Sequence, residues 1–260
     1  MNLPKDDLLK GADNREELSR ILDQADQALR TWEIIQTDFL SPPVLHEALG
    51  IFKKLTEFNH LQGGGYPQAE RQRLAIARQE IPLTEEHLEI AAIDITGNFL
   101  FDTATHRDFL GSLLGTGLVR DKVGDILVLG DRGAQALVIP ELVPFLETAL
   151  VQVRTVPVKT RPIHLAELKV RPPKKKELTT VEASLRLDAI ASAGLGMSRS
   201  KMAEAITSGN VKVNWKTITQ SSHNIKAGDL ISLRGKGRIE VGEIAVTKKE
   251  RYRIQLTRFL

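Results

Sequence analysis

The hydrophobic period changes once in the first half of this chain, and that change limits what it can fold into. From residue 14 to 37 apolar side chains recur at helical spacing (Leu18, Ile21, Leu22, Ala25, Leu29, Trp32, Ile35), which predicts an amphipathic helix. Ser41-Pro42-Pro43 breaks the pattern, and Val44 to Phe58 resumes it. From Leu88 the apolar runs shorten to strand length. EIAAIDI (89–95), DILVLG (125–130), AQALVIP (134–140) and RTVPVKT (154–160) read as strands, and HRDFLGSLLGTG (106–117) and ELVPFLETAL (141–150) as helices. The order is βαββαβ with a hairpin around Asp131-Arg132-Gly133, the split-βαβ plait.

The expected class is therefore α+β. A mainly helical N-terminal region (1–83) precedes a βαββαβ plait of the ferredoxin-like or RNA-recognition type (84–165). RPIHLAELKVRPPKKKELTT (161–180), with three prolines and a Lys triplet, reads as a basic linker centred on 166–180. A compact unit (181–260) follows. Aromatics on the two central strands of an RNA-recognition motif stack bases. Here those strands carry only aliphatic side chains, which points the plait toward backbone binding or protein contact. QGGGYPQAERQR (62–73) reads as a Gly-rich loop leading into a basic helical turn. It lacks the Lys-Ser/Thr ending of a phosphate-binding loop and no strand clearly precedes it, so a plain loop is the better reading.

Charge is divided unevenly over the 260 residues. Residues 1–150 carry 14 Lys+Arg against 24 Asp+Glu, net −10; residues 151–260 carry 22 against 9, net +13. A field of that size attracts polyanions, with nucleic acid the leading partner, while the acidic region limits indiscriminate binding. The absence of cysteine excludes disulfides, thiol catalysis and thiolate-bound metals. The acidic start, MNLPKDDLLKGADNREEL, has no apolar signal-peptide core, and no apolar run approaches the ~18 residues needed to cross a bilayer. The expected compartment is the cytoplasm, with no membrane association.

In the basic part, Val181 to Ala193 reads as a short helix and GLGMS (194–198) as a turn. Ser198 is placed to cap a helix over Arg199–Ser208, and Gly209 to close it. VKVN (211–214) reads as a strand with Lys212 outward, and AGDLISLRGKGRIEV (227–241) as a strand with a basic Gly-rich turn. RLD (186–188), SRSKMAEAI (198–206), GNVKVN (209–214) and GDLISLRGKGR (228–238), in that order, resemble the S4 RNA-binding domain. The resemblance implies a basic groove for structured RNA, with Arg186, Ser198, Arg199, Ser200, Lys201, Lys212 and Asn214 as contacts. Lys216, Arg234, Lys236 and Arg238 extend the candidate set. Many S4 domains have Gly after the Asn, where this chain has Trp215, an indole able to stack on RNA.

A wider resemblance takes in nearly the whole chain. GGGYPQAERQR (63–73), THRDFLGSLLGTGLVRDKVGDI (105–126) and VNWK (213–216) are similar to the YlmH family, which includes the cyanobacterial photosystem II S4-domain proteins. The resemblance implies a helical N-terminal region, a plait and an S4 domain in a ribosome-associated RNA-binding protein. Large-subunit ribosomal RNA, with tRNA, is the implied target, and quality control of stalled subunits or cell division the implied setting. The photosystem name does not establish a direct photosystem role.

Catalysis has weaker support. His106-Arg107-Asp108 looks like a kinase catalytic loop, but the downstream Asn, the kinase Gly-rich loop and DFG are missing. Arg186-Leu187-Asp188 is similar to the catalytic-aspartate motif of pseudouridine synthases, yet it sits inside the S4 pattern itself. There Asp188 is expected to pair with a neighbouring Arg or cap a helix. The six histidines show no metal-binding spacing. The expectation is a non-enzymatic protein with no catalytic residue, metal or cofactor; a protein-interaction adaptor is the third class. Nothing in the sequence specifies the oligomeric state.

Overall fold

The computed structural model describes residues 3–172 and 174–259, and the chain divides into two compact units, Met1–Val170 and Arg171–Leu260. In the first, α1 (Lys5–Leu8) and α2 (Arg15–Thr31) precede β1 (Ile35–Gln36), α3 (Pro42–Phe52), β2 (Phe58–Gly63) and β3 (Arg73–Arg78). Leu18, Ile21, Leu22 and Ala25 of α2 pack with Val44, Leu45, Ala48 and Phe52 of α3 in one core. The helices are joined at their ends as well: Glu47 of α3 accepts hydrogen bonds from the backbone N–H of Asp13 and Asn14 at the start of α2.

The N-terminal region also holds a three-stranded sheet, ordered β1-β3-β2, at positions read as helix or loop. The expected helix over 14–37 stops at Trp32, whose backbone turns left-handed (φ 60°) while the Arg78 guanidinium lies 3.8 Å from its ring centre. Ile35 then pairs with Ile76 instead of continuing the helix. Likewise α3 ends at Phe52, and Phe58 opens a strand that precedes the Gly-rich loop. Arg73-Leu74-Ala75-Ile76-Ala77 is the central strand, buried throughout, and so carries no alternation by which sequence could separate it from a helix.

The second half of this unit is β4 (Ala91–Thr96), α4 (His106–Gly115), β5 (Val123–Val128), β6 (Gly133–Val138), α5 (Val143–Ala149), a small hairpin of β7 (Gln152–Val153) with β8 (Val156–Pro157), and β9 (Lys159–Ile163). The sheet order β5-β6-β4-β9 is that of the ferredoxin-like plait, as the βαββαβ reading requires. The last strand lies later than expected, at 159–163. Arg154 takes a left-handed turn (φ 54°) and folds most of RTVPVKT into the hairpin.

The Gly-rich loop is a clasp between these two halves. Asp125 on β5 accepts hydrogen bonds from the Tyr66 hydroxyl (2.7 Å) and the backbone N–H of Glu70 (2.7 Å) and Arg71 (3.1 Å). The Arg71 guanidinium donates to the carbonyls of Phe39 (2.6 Å) and Val123 (3.1 Å) and to Asp121 (3.1 Å). Burial, followed by the bond to Asp125, raises the Tyr66 pKa above the ordinary phenol value. The loop must also lie close: a Cβ on Gly64 would fall 2.4 Å from the Arg71 carbonyl oxygen.

The second unit comprises β10 (Lys175–Glu182), α6 (Leu187–Leu195), α7 (Arg199–Thr207), β11 (Val211–Val213), β12 (Lys216–Thr217), β13 (Leu230–Leu233), β14 (Gly237–Val246) and β15 (Tyr252–Phe259). They form one six-stranded sheet, β10-β15-β14-β13-β11-β12, against which α6 and α7 pack. Two expectations change here. Lys175–Glu182, read as linker and helix start, is an edge strand paired with β15 along its whole length. The first helix accordingly begins at Leu187. Pro173, one of the prolines of the expected linker, lies outside the described residues.

Two glycines give opposite expectations. Gly133 has φ +120°, and a Cβ there would fall 1.9 Å from the Ile95 carbonyl oxygen. Gly133→Ala is expected to destabilise the protein by about 3–5 kcal/mol, since strain and a backbone clash act together. Gly111 in α4 has open space for a methyl group. Gly111→Ala should be stabilising by about 0.5–1 kcal/mol through helix propensity. Urea unfolding midpoints of the two variants measure both.

Candidate nucleic-acid interface

A helix N-terminus needs acceptors for its free N–H groups, and Ser198 supplies one for α7: its Oγ accepts from Lys201 N–H (3.4 Å). Met202 and Ile206, one turn apart, bury this helix in the core, each contributing about 1.5–3 kcal/mol. Arg199, Ser200 and Lys201 are thereby left exposed on its first turn. Gly209, with φ +71°, closes the far end as expected.

Asp188 organises the surface. Only 5% exposed, it accepts a two-point contact from Arg186 (Nε–Oδ1 3.0 Å, NH2–Oδ2 3.3 Å) and another from Arg199 (Nε–Oδ2 3.0 Å, NH2–Oδ1 3.4 Å). It also accepts from the Ala189 N–H at 3.0 Å. Burial acts to raise its pKa, but the hydrogen bonds and charges of the two arginines outweigh it and hold it below the ordinary carboxylate value. The same bond raises the pKa of Arg186. One anion shared by two cations leaves a net positive charge, with both guanidinium groups held against the start of α6 and partly open to solvent. Asp188 thus does what its place in RLD suggested, pairing with arginine. Its role as the common anchor of Arg186 and Arg199 depends on residues eleven apart in the chain and has no local signal.

The remaining candidates are arranged differently from one continuous groove. Asn214 and Trp215 both have positive φ (47° and 65°) and close the β11–β12 hairpin as a two-residue turn, with Val213 paired to Lys216. Trp in the left-handed region is unusual, and the indole is half-buried rather than exposed. The Asn214 carboxamide is engaged at both ends, donating to Asp229 (2.8 Å) and accepting from Leu230 N–H (2.9 Å). Asn214 therefore shapes the turn that presents Lys216. Lys212 and Arg238 lie on the sheet, and Arg234 and Lys236 in the tight β13–β14 turn beside them.

The plait offers no open sheet for base stacking, and for a stronger reason than its aliphatic strands. Every residue of β6 is buried. Beneath one face lies the core formed with α4 and α5. The other face is covered by the chain itself, where Phe39, Tyr66, Ile90 and Leu168 pack on Ala92 and Leu137. Gln135, 2% exposed, is tied there to Glu167 O and Lys169 N–H. His106-Arg107-Asp108 opens α4, where Asp108 accepts from the Thr105 N–H (2.8 Å) and hydroxyl (2.7 Å), a helix cap.

Residues 13–81 match the family description "YlmH, N-terminal", residues 83–167 "Putative RNA-binding domain in YlmH", and residues 185–231 "S4 domain". The chain belongs to the YlmH family. A relative from Bacillus subtilis (strain 168), "Ribosome-associated protein quality control protein P2", is 32% identical over 244 residues, covering 90% of this chain and 93% of the relative. The solved "Cell division protein ylmH from Streptococcus pneumoniae" shares the fold at 20% identity. Its TM-score is 0.53, with 61% of this chain and 95% of that chain covered. Among the described residues no helix is long and apolar enough to cross a membrane.

Asp188→Asn keeps the shape of the anchor and removes its charge. It is expected to cost about 1–3 kcal/mol of stability, because the paired guanidinium groups lose a charged acceptor but can still reach water. Since folding lowers the Asp188 pKa, its contribution is present above the ordinary carboxylate pKa and lost as pH falls through the folded value. Wild type should therefore show an extra loss of stability below about pH 4 that the Asn variant lacks. Thermal melts of both proteins from pH 7 to pH 2.5 read the difference.

Proposed function

We propose that this YlmH-family protein binds structured RNA on the ribosome without making or breaking bonds, and that its S4 unit is the main reader. The observation that carries the reading is the Asp188-anchored pair of arginines beside the Ser198-capped first turn of α7. Residues 171–260 carry 18 Lys+Arg against 8 Asp+Glu, net +10, so this rigid cluster stands in a field suited to phosphate. Capture is electrostatic, and selection is by the shape of folded RNA. Large-subunit ribosomal RNA, with peptidyl-tRNA, is the target we favour, and rescue of stalled subunits the setting. The name of the B. subtilis relative supports a ribosome-associated quality-control setting. Such a role places the protein in the cytoplasm. The engagement of Asp188 by two arginines and of Asp108 in a helix cap supports non-enzymatic roles for the two motifs that looked catalytic.

Binding through phosphates releases counterions, so log K should fall linearly with log salt. With four to six contacts the slope on single-stranded or duplex RNA should be about −3 to −5. Arg199→Ala/Lys201→Ala should weaken binding by about 1–3 kcal/mol, allowing about 1.5 kcal/mol per charged hydrogen bond before losses to solvent. Filter binding of a large-subunit ribosomal RNA fragment across salt, with a melt to confirm folding, tests both. A flat wild-type slope defeats the reading.

The division of labour can be read from fragments. Residues 171–260 have their own core and retain β10, so this piece should fold and keep general RNA affinity. Residues 1–170, with the plait sheet covered, should bind the same RNA weakly. Equal affinities would place the main reader elsewhere.

A further inference from the structure

The strand register of the second unit aligns residues that are distant in sequence. Lys175 on β10 stands opposite Phe259 on β15, Phe259 opposite Arg238 on β14, Arg238 opposite Ser232 on β13, and Ser232 opposite Lys212 on β11. Directly opposed residues share a face of a sheet. Lys212 lies between Val211 and Val213, which are buried in the core with α6 and α7, so this row lies on the face turned away from the helices. Strands are about 4.8 Å apart, so cations on every second strand recur at roughly 10 Å intervals. The Lys175 Nζ stands 5.3 Å from the Phe259 ring centre and the Arg238 guanidinium carbon 5.1 Å, one from each flanking strand. The ring is thus a spacer between two cations rather than a platform for a base. Arg234 and Lys236 stand exposed in the turn joining Ser232 to Arg238. Two residues along the strands the sign changes, for Glu177 and Glu240 flank Thr257.

We propose that this row is a second phosphate-contacting surface of the S4 unit, distinct from the Asp188-anchored arginines and taking the sugar–phosphate backbone of a further RNA segment. The proposal rests on the RNA-binding reading above and extends it with Lys175 and Phe259, which the S4 resemblance does not include. The glutamates repel phosphate and confine the backbone to the end of the sheet that holds the RGKGR turn. Two separate contact surfaces let one small unit hold folded RNA in a defined orientation, since phosphate contacts set register without reading bases.

The test uses the full-length protein and one duplex fragment of large-subunit ribosomal RNA, with filter binding over a salt series. Lys175→Ala/Lys212→Ala removes two charges from the row. Lys248→Ala/Lys249→Ala removes two exposed charges from the β14–β15 turn as a control for net charge. The row variant should lose about tenfold in affinity and its salt slope should become shallower by about two, at ~0.9 per duplex phosphate contact. The control should change less than twofold. Phe259→Leu should weaken binding several-fold by releasing the two cations, and Phe259→Tyr should retain it, with unfolding midpoints confirming that each variant is folded. Equal losses in row and control variants, or no loss in the row variant, overturn the second surface while leaving the RNA reading intact if wild type still binds with a steep slope. A wild type without salt-dependent binding overturns the RNA reading and the second surface together.

Discussion

A single buried carboxylate sets the geometry of the C-terminal surface. Asp188 is almost without solvent, and its two guanidinium partners and a backbone N–H make that burial tolerable. Such a pairing adds little net stability compared with apolar packing, because both desolvation and Coulomb terms are large and opposed. What it does supply is direction. Two flexible arginines, from the start of α6 and the start of α7, are held on one anchor while parts of both stay open to solvent. A ligand rich in phosphate then meets charges already placed, with less side-chain entropy left to lose.

The first unit uses the same chemistry for a different end. Asp125 gathers a hydroxyl and two backbone N–H groups from the Gly-rich loop, and Arg71 carries the contact on to Phe39 and Asp121. This clasp holds the N-terminal segment over the plait, where Phe39 and Tyr66 cover the sheet. In RNA-recognition motifs an open sheet stacks bases. Here the ferredoxin-like topology is kept while that use of the sheet is lost. Fold alone does not say how such a sheet is used, and the residues that cover it leave no open face for base stacking.

Several site features were legible because their causes are local. Ser198 lies three residues from the N–H it accepts, and Gly209 directly follows the α7 cap it relieves. The βαββαβ order was legible because strand and helix periods differ over a few residues. The errors fall where sequence has no period to offer. Arg73–Ala77 is buried on both faces and reads as either state. Lys175–Glu182, bordered by prolines and lysines, has the composition of a linker and becomes strand only because β15 is there to pair with it. Asn214 is a different case: expected as an RNA contact, it also uses its carboxamide to hold a left-handed turn, through a partner fifteen residues away.

The sequence by itself determined the βαββαβ order of the middle elements, the split of charge between an acidic first part and a basic last part, and the capped helix that carries Arg199 and Lys201. These depend on residue type and on spacing within one or two turns. Tertiary structure decided which cations stand together: Arg186 and Arg199 on Asp188, and Lys175, Arg238 and Lys212 in one row across the sheet. It also decided that the plait sheet is covered. The reason is physical. Strand pairing and the burial of a charge are set by partners far away along the chain, such as Phe259 for Lys175, and no local pattern in a single sequence encodes which distant partner will be met.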